Sequence, residues 1–381
     1  MVNAAYLTRL KLTDFRNYRQ LALDLDNRHV VLTGENGAGK TNLMEAVSLL
    51  SPGRGLRRAA YAEISRKESE TGFAVFAVLE GMQGPVEIGT SAGGDAEAAG
   101  GSGRRLRINA TNARSNDELL EHLRIVWLTP AMDGLFTGSA SDRRRFLDRQ
   151  VLAIDPGHGR RVLDYERAMR SRNRLLSEGR LDPAWLEGIE TQMAELGVAI
   201  ALARRELIAM LTKLIDERQD EGPFPQAVLL LEDFLSDIAG GNAAELEEDF
   251  AMQLGASRDR DAAAGRTLTG PHRSDLKVRH RGKDMDAARC STGEQKALLV
   301  GLVLAHARLT GEICGCAPLL LLDEIAAHLD AGRRQALFDL VDALGGQALM
   351  TGTDAGMFSA LGERARYLTV SSGTVADAGA D

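Results

Sequence analysis

Apolar and polar positions divide the chain into stretches of different period. Over the first third the period is two: Leu21, Leu23 and Leu25 alternate with Ala22, Asp24 and Asp26. The runs "FAVFAVLEG" (73–81) and "RRLRIN" (104–109) also have strand composition. Between them "GTSAGGDAEAAGGSG" (89–103) has no apolar period and reads as a long flexible hairpin loop. From about residue 140 the period becomes helical. "SDRRRFLDRQVLAID" predicts a helix that stops before Pro156, and a second helix follows over 158–178. A third starts at Asp182-Pro183, an N-cap followed by proline at the first helical position. Its apolar positions Trp185, Ile189, Met193, Leu196, Ile200, Ala203, Leu207, Leu211 and Leu214 recur at steps of three and four. Such a seam of about 30 residues, ~45 Å long, needs partner helices, and those before it are the expected ones. Beyond residue 265 strands and helices alternate again, with Leu319–Leu322 as a buried strand. The C-terminal "SSGTVADAGAD" carries no motif and reads as frayed.

With 381 residues, 44% of them apolar, the chain can bury one large core or two to three smaller ones. No stretch reaches ~18 uninterrupted apolar residues, and the N-terminus lacks a signal peptide's apolar core and cleavage site. A cytoplasmic location, with no membrane partner, is expected. Cys290, Cys314 and Cys316 cannot form a disulfide framework and lack a second ligand pair for zinc. His272, His280, His306 and His328 read as ordinary polar contacts.

The candidate chemistry begins at "GENGAGKT". Gly34, Gly39, Lys40 and Thr41 fit G-x-x-x-x-G-K-[ST], and the apolar run Val30, Val31, Leu32 before it and the amphipathic stretch after it supply the strand, loop, helix frame. The peptide N–H groups of Gly34, Glu35, Asn36, Gly37, Ala38 and Gly39 can turn around phosphate oxygens. Lys40 reaches the outer phosphates and the Thr41 hydroxyl is a ligand for Mg²⁺. The bound nucleotide is expected to be ATP. Downstream, four leucines end in Asp323 and Glu324. This is the Walker B pattern, in which Asp323 holds the Mg²⁺ shell and Glu324 polarises the attacking water.

A second phosphate motif separates this chain from simple kinases and GTPases. Ser291-Thr292-Gly293-Glu294-Gln295, ahead of a long apolar helix, resembles the signature of ABC ATPases. That resemblance implies that Ser291, Gly293 and Glu294 face the ATP of another subunit, that Asp330 is the D-loop acid, and that Thr353 stands where transporters carry a switch histidine. The fold class that follows is α/β, an ABC-type P-loop ATPase head with an inserted helical arm. Its expected parts are residues 1–130 (head lobe I), 131–240 (arm) and 241–381 (lobe II). From Thr41 to Ser291 is 250 residues, too far for a compact transporter subunit and too near for the coiled coils of SMC proteins.

"LTDFRNY" (12–18), "SDRRRFLDR" (141–149), "TGPHRSDL" (269–276) and the signature helix together resemble the RecF family of bacterial recombination mediators over essentially the full chain. The style of "LSPGRGLRRA" and "WLTPAMDGLFTG" is similar to its alphaproteobacterial branch. The resemblance implies an ATP-dependent homodimer with slow, DNA-dependent hydrolysis. It further implies binding to duplex DNA and single-strand/double-strand junctions, cooperation with RecR and RecO, and help in loading RecA. Where the family commonly reads Pro-Glu-Asp-Leu, this chain has Pro130-Ala131-Met132-Asp133, leaving Asp133 as the candidate that couples the arm to the γ-phosphate. Ser139 replaces a frequent proline.

Net charge tests the DNA reading. At −8 the chain as a whole repels nucleic acid, but only seven of its 46 basic residues are lysines, which leaves 39 arginines. They cluster at Arg54, Arg57, Arg58; at Arg104, Arg105, Arg107; and at Arg143, Arg144, Arg145, Arg149. Arginine favours bidentate phosphate contacts, whereas solvated helix faces explain such clusters equally well. The rival functions are an ABC-class subunit of another assembly and a nucleotide-gated scaffold. The 250-residue separation argues against a transporter subunit, and retention of Glu324 against a scaffold.

Overall fold

The computed structural model describes residues 3–67, 69, 71–81, 84–93, 103–178, 182–217, 222–237, 241–327 and 329–378. The greater part of the expected glycine-rich loop (94–102) and His328 lie outside them. Two compact units result: Met1–Asp133, Glu221–Phe224 and Leu299–Asp381 form the first, and Gly134–Asp220 and Pro225–Leu298 the second.

The first unit contains two six-stranded sheets. One runs in the order Thr374–Asp377, Ala365–Ser371, His29–Thr33, Ala348–Thr351, Leu319–Leu322, Ile125–Leu128, parallel except at its first pair. Its three middle strands, His29–Thr33, Ala348–Thr351 and Leu319–Leu322, are buried at every position. Parallel strands covered on both faces require such unbroken apolar runs. The other sheet is antiparallel, in the order Tyr18–Asp24, Tyr6–Phe15, Phe73–Gly81, Gly84–Ala92, Arg105–Ile108, Thr111–Asn112. Along Phe73–Gly81 burial alternates, as its sequence predicts. The Lys40–Ser48 helix fills the core between them, where Leu43, Met44 and Val47 join Leu10, Leu12 and Phe15 from one sheet and Leu32 and Leu321 from the other.

Two expectations for this unit need correction. Residues 89–92 belong to the Gly84–Ala92 strand, because Thr90 and Ala92 pack inward while the backbone pairs with Phe73–Phe76. The C-terminus is not frayed as far as Asp377. Ser372 and Gly373, both at positive φ, make a two-residue turn that returns Thr374–Asp377 antiparallel onto Ala365–Ser371.

The second unit holds helices Ala140–Ile154, His158–Glu178, Pro183–Asp216, Ala243–Ala256 and Arg258–Ala264, with a three-stranded antiparallel sheet. Ser139, in place of the frequent proline, caps the first: its Oγ accepts from Asp142 N at 3.2 Å. The 34-residue Pro183–Asp216 helix begins at the expected cap, Asp182. It packs not only on the helix before it but also on the later Ala243–Ala256 helix, with Met193, Val198 and Ala201 against Tyr165, Phe250 and Leu254. With partners on two sides the buried stripe is broader than the seam read from the sequence, and it leaves Trp185 57% exposed. The unit also runs past residue 240 to Leu298, because Ala227–Glu232 pairs along its whole length with Asp275–His280. The start of the signature therefore belongs to this unit, rather than to a separate lobe from residue 241.

Candidate nucleotide site

The strand His29–Thr33 delivers the chain into the loop 34–39 and then into the Lys40–Ser48 helix, the frame that the sequence predicts. Gly34, Gly37 and Gly39 have φ of 143°, 84° and 121°, a region open to glycine. A Cβ on Gly34 would lie 2.2 Å from Val370 O, and one on Gly39 2.6 Å from Asn17 Nδ2, so both positions are closed to side chains by space as well. Glu35, Asn36 and Gly37 are exposed at the rim and Ala38 is half-buried. Lys40 folds back across the loop, its Nζ donating to Gly34 O at 2.6 Å and Glu35 O at 2.8 Å. Burial lowers its pKa, and the charges of Glu324 and Asp323 oppose that shift.

The acidic pair meets this loop through sheet order. The strand carrying it, Leu319–Leu322, is separated from the P-loop strand by Ala348–Thr351. Asp323 is buried, and the Thr41 hydroxyl lies 3.1 Å from both of its carboxylate oxygens. Thr351, at the end of the intervening strand, donates to Asp323 Oδ1 at 2.7 Å and accepts from Glu324 N at 2.8 Å. Glu324 takes φ +49°, a strained conformation for a side-chain-bearing residue that this bond holds. Thr353, the expected switch position, is exposed two residues further on, so the residue joined to the acidic pair is Thr351. Asp133 ends a short 3-10 turn, Pro130–Met132, that follows the strand beside the acidic one.

A buttress under the loop was not legible as such. In the turn between Tyr6–Phe15 and Tyr18–Asp24, Asn17 Nδ2 donates to Ala38 O at 3.1 Å and Tyr18 Oη to Gly39 O at 3.0 Å. Arg16 meets the fully buried Glu45 of the P-loop helix through two bonds of 2.7 and 2.8 Å, and Arg57 adds a third of 2.9 Å. Arg104 ends the same helix: its guanidinium donates to the carbonyls of Leu49, Ser51 and Gly53, and burial pulls its pKa down to about 10. "LTDFRNY" thus carries a structural message in three successive residues, and two members of the arginine clusters are committed to the fold.

In the second unit Ser291 precedes the Thr292–Cys314 helix and forms a capping box: Ser291 N donates to Glu294 Oε2 at 3.0 Å and Glu294 N to Ser291 Oγ at 3.4 Å. Lys283 pairs with the other Glu294 oxygen and, with the Ser291 bonds, lowers the Glu294 pKa to about 2. Ser291, Thr292 and Gly293 are exposed, so the helix N-terminus is open to an anion. By length and composition this helix could cross a membrane, but 61% of its most apolar window is buried in the fold, as in a core helix. Asp330 caps the Ala331–Ala343 helix of the first unit, accepting from Arg333 N at 2.9 Å.

The "SDRRRFLDR" arginines are also tied down. Arg143 pairs bidentately with Asp275 at 2.7 and 2.8 Å, Arg144 donates to Ser274 O at 2.8 Å, and Arg145 meets Asp142 at 3.2 Å. Burial lowers the Arg149 pKa to about 9. Arg143 and Arg144 thereby join "SDRRRFLDR" to "TGPHRSDL".

Fold and site define an ABC-type P-loop ATPase head, and comparison with known proteins agrees. The chain matches the family described as RecF/RecN/SMC N terminal domain over residues 6–375. It is 67% identical over 375 residues to the DNA replication and repair protein RecF of Rhizobium meliloti (98% of this chain, 100% of that protein). Identity is 64% over 376 residues to the protein of that name from Agrobacterium fabrum (98% and 99%). The structure of the recombination mediator protein RecF-ATP in RecFOR pathway superposes with a TM-score of 0.84 at 24% identity, covering 99% of this chain and 100% of that one. An Smc head domain from Pyrococcus furiosus gives 0.53 at 17% identity, covering 97% and 95%. The chain belongs to the RecF family of DNA replication and repair proteins.

Proposed function

We propose that the chain is an ATP-dependent, DNA-binding recombination mediator that dimerises on ATP. On this reading it binds gapped or duplex DNA and, with RecR and RecO, assists the loading of RecA in the cytoplasm. The observation that carries the nucleotide part is the meeting of Thr41, Asp323, Thr351 and Glu324 beside a loop whose three glycines all hold positive φ. A threonine hydroxyl and a carboxylate are oxygen donors that suit Mg²⁺, which fills its remaining positions with water and phosphate. When bound, Mg²⁺·ATP would supply the γ-phosphoryl group that water attacks, and the metal would neutralise the charge that builds on the departing ADP.

The chain's own groups do the rest. Loop 34–39 turns its peptide N–H groups on the phosphates, and Lys40 keeps one N–H bond for them beyond its two carbonyl contacts. Thr351 fixes the direction of Glu324, which orients the attacking water and accepts its proton. The exposed start of the signature helix, held by Ser291 and Glu294, is offered to the nucleotide of a second copy; Asp330 and Thr353, exposed in the first unit, are further candidates for nucleotide contact. Hydrolysis on this reading is slow and stimulated by DNA. Names and family support the repair role: the solved RecF-ATP structure is placed in the RecFOR pathway.

Sedimentation velocity with ATP, with ADP and with a gapped duplex tests the proposal. A dimer with ATP alone that also carries the duplex is expected. A monomer at saturating ATP removes the shared site.

A further inference from the structure

The second unit holds its loop Gly270–Asp275 with unusual thoroughness. Gly270 has φ +137°, and a Cβ there would lie 2.3 Å from Tyr165 Oη and 3.2 Å from the Phe250 ring. Arg204 donates to Pro271 O at 2.7 Å. His272 is fixed through both ring nitrogens, to Tyr165 Oη at 3.1 Å and Thr267 O at 3.0 Å. Arg144 holds Ser274 O and Arg143 holds Asp275. The exception is Arg273. It is exposed, and among the described residues its guanidinium meets no acceptor.

The nearby acids are already taken. Asp148 accepts two bonds of 2.8 Å from Arg204 and one of 2.8 Å from His158. Asp275 accepts both arms of Arg143 and pairs with Lys277 at 2.8 Å. Among the described residues Arg144 has a neutral carbonyl as its hydrogen-bond partner and Arg273 has none. The Arg144 guanidinium ends on the carbonyl of the residue that follows Arg273, so a second positive charge stands beside the exposed one. A rigid loop that spends so many bonds on presenting one arginine without a partner among the described residues, beside a second guanidinium, suits a ligand with repeated negative charge.

We propose that Arg273, with Arg144 beside it, forms a clamp for a phosphodiester of the DNA backbone, presented by the Gly270–Asp275 loop. Guanidinium forks match phosphate oxygens bidentately, and backbone contacts of this kind fix position without reading sequence. The assignment rests on the reading that this chain binds DNA, and it centres the contact on Arg273 of "TGPHRSDL", with one member of the arginine cluster at its side.

The test measures duplex affinity of the full chain with ATP at several salt concentrations, for wild type and for Arg273→Ala, Arg273→Lys and Arg273→Glu. Because Arg273 holds no other group among the described residues, all three variants should melt with wild type. Arg273→Ala should lose about tenfold in affinity and flatten the slope of log K against log[salt] by ~0.9 for each phosphate no longer neutralised. The lysine variant should restore the slope but not the full affinity, since it keeps a point charge without the fork. A folded Arg273→Ala with wild-type affinity and slope overturns the clamp alone. A wild-type chain that binds no duplex even at low salt overturns the DNA reading and the clamp with it. A variant that keeps DNA affinity but loses affinity for polyglutamate assigns the loop to an acidic protein and equally overturns the proposal.

Discussion

Thr351 Oγ1 donates to Asp323 Oδ1 at 2.7 Å, and the same hydroxyl receives the Glu324 N–H at 2.8 Å. One fully buried threonine thus sets both members of the acidic pair, from a strand that carries no recognised motif. Thr351→Val keeps the shape and removes both bonds. It should cost about 2 kcal/mol of stability, because the Glu324 N–H loses its acceptor and Asp323 Oδ1 is left with the Thr41 hydroxyl alone among the described residues. Hydrolysis should fall more than ATP affinity. Thermal melts alongside ATP titrations and turnover check this, and equal losses in affinity and turnover would deny Thr351 its orienting role.

Glu324 and Lys40 should separate by phenotype. Glu324→Gln keeps shape and cannot accept a proton, so turnover should drop by about 10²–10⁴ while ATP still binds. Lys40→Met should weaken binding itself. Isothermal titration and single-turnover hydrolysis distinguish them, and wild-type turnover in the glutamine variant removes Glu324 from the chemistry.

Arg16 should matter for stability and, through it, for nucleotide. Removing it leaves the fully buried Glu45 carboxylate with Arg57, which is 40% exposed, as its remaining ion-pair partner among the described residues. Breaking a buried pair from one side costs about 3 kcal/mol. Arg16→Ala should therefore unfold at markedly lower denaturant, and pairing it with Glu45→Gln should recover part of the loss. No recovery in the double variant would mean that the charge is not what Arg16 compensates.

Acid should weaken the fold through buried histidines. Burial lowers the pKa of His29 despite Asp342 beside it, and burial does the same to His272. The unfolded chain then binds protons first, so the stability these groups contribute is present above pH ~6.5 and lost as pH falls through their lower folded values. His29 Nδ1 accepts from Ala348 N at 3.1 Å, a bond that requires that nitrogen unprotonated. His29→Asn keeps an acceptor without the titration and should flatten the decline between pH ~7 and ~5. Chemical denaturation across that range reads the difference, and an unchanged pH profile rules His29 out.

Ser291→Arg places bulk and charge at the exposed start of the signature helix. ATP binding by the single chain should persist while the ATP-dependent dimer disappears from sedimentation profiles. Survival of the dimer would mean that the signature face is not shared.

Sequence alone determined the parts of this protein whose chemistry is local. The P-loop glycines, the acidic end of an apolar strand, the Ser291 cap and the Asp182-Pro183 helix start each depend on residues within a few positions of one another, so spacing and residue type suffice. Tertiary structure decided what those parts touch. Val31 neighbours Met350 and Tyr367, more than 300 residues away, because strand order is set by how the sheet covers its core. That order brings in Thr351 and leaves Thr353 at the surface. It also decided the fate of the arginines: Arg16, Arg104 and Arg143 carry the same side chain as Arg273, yet three are consumed by partners distant in the sequence and one is not. A guanidinium's role depends on which acceptors the fold brings within about 3 Å, and a linear pattern holds no record of that distance.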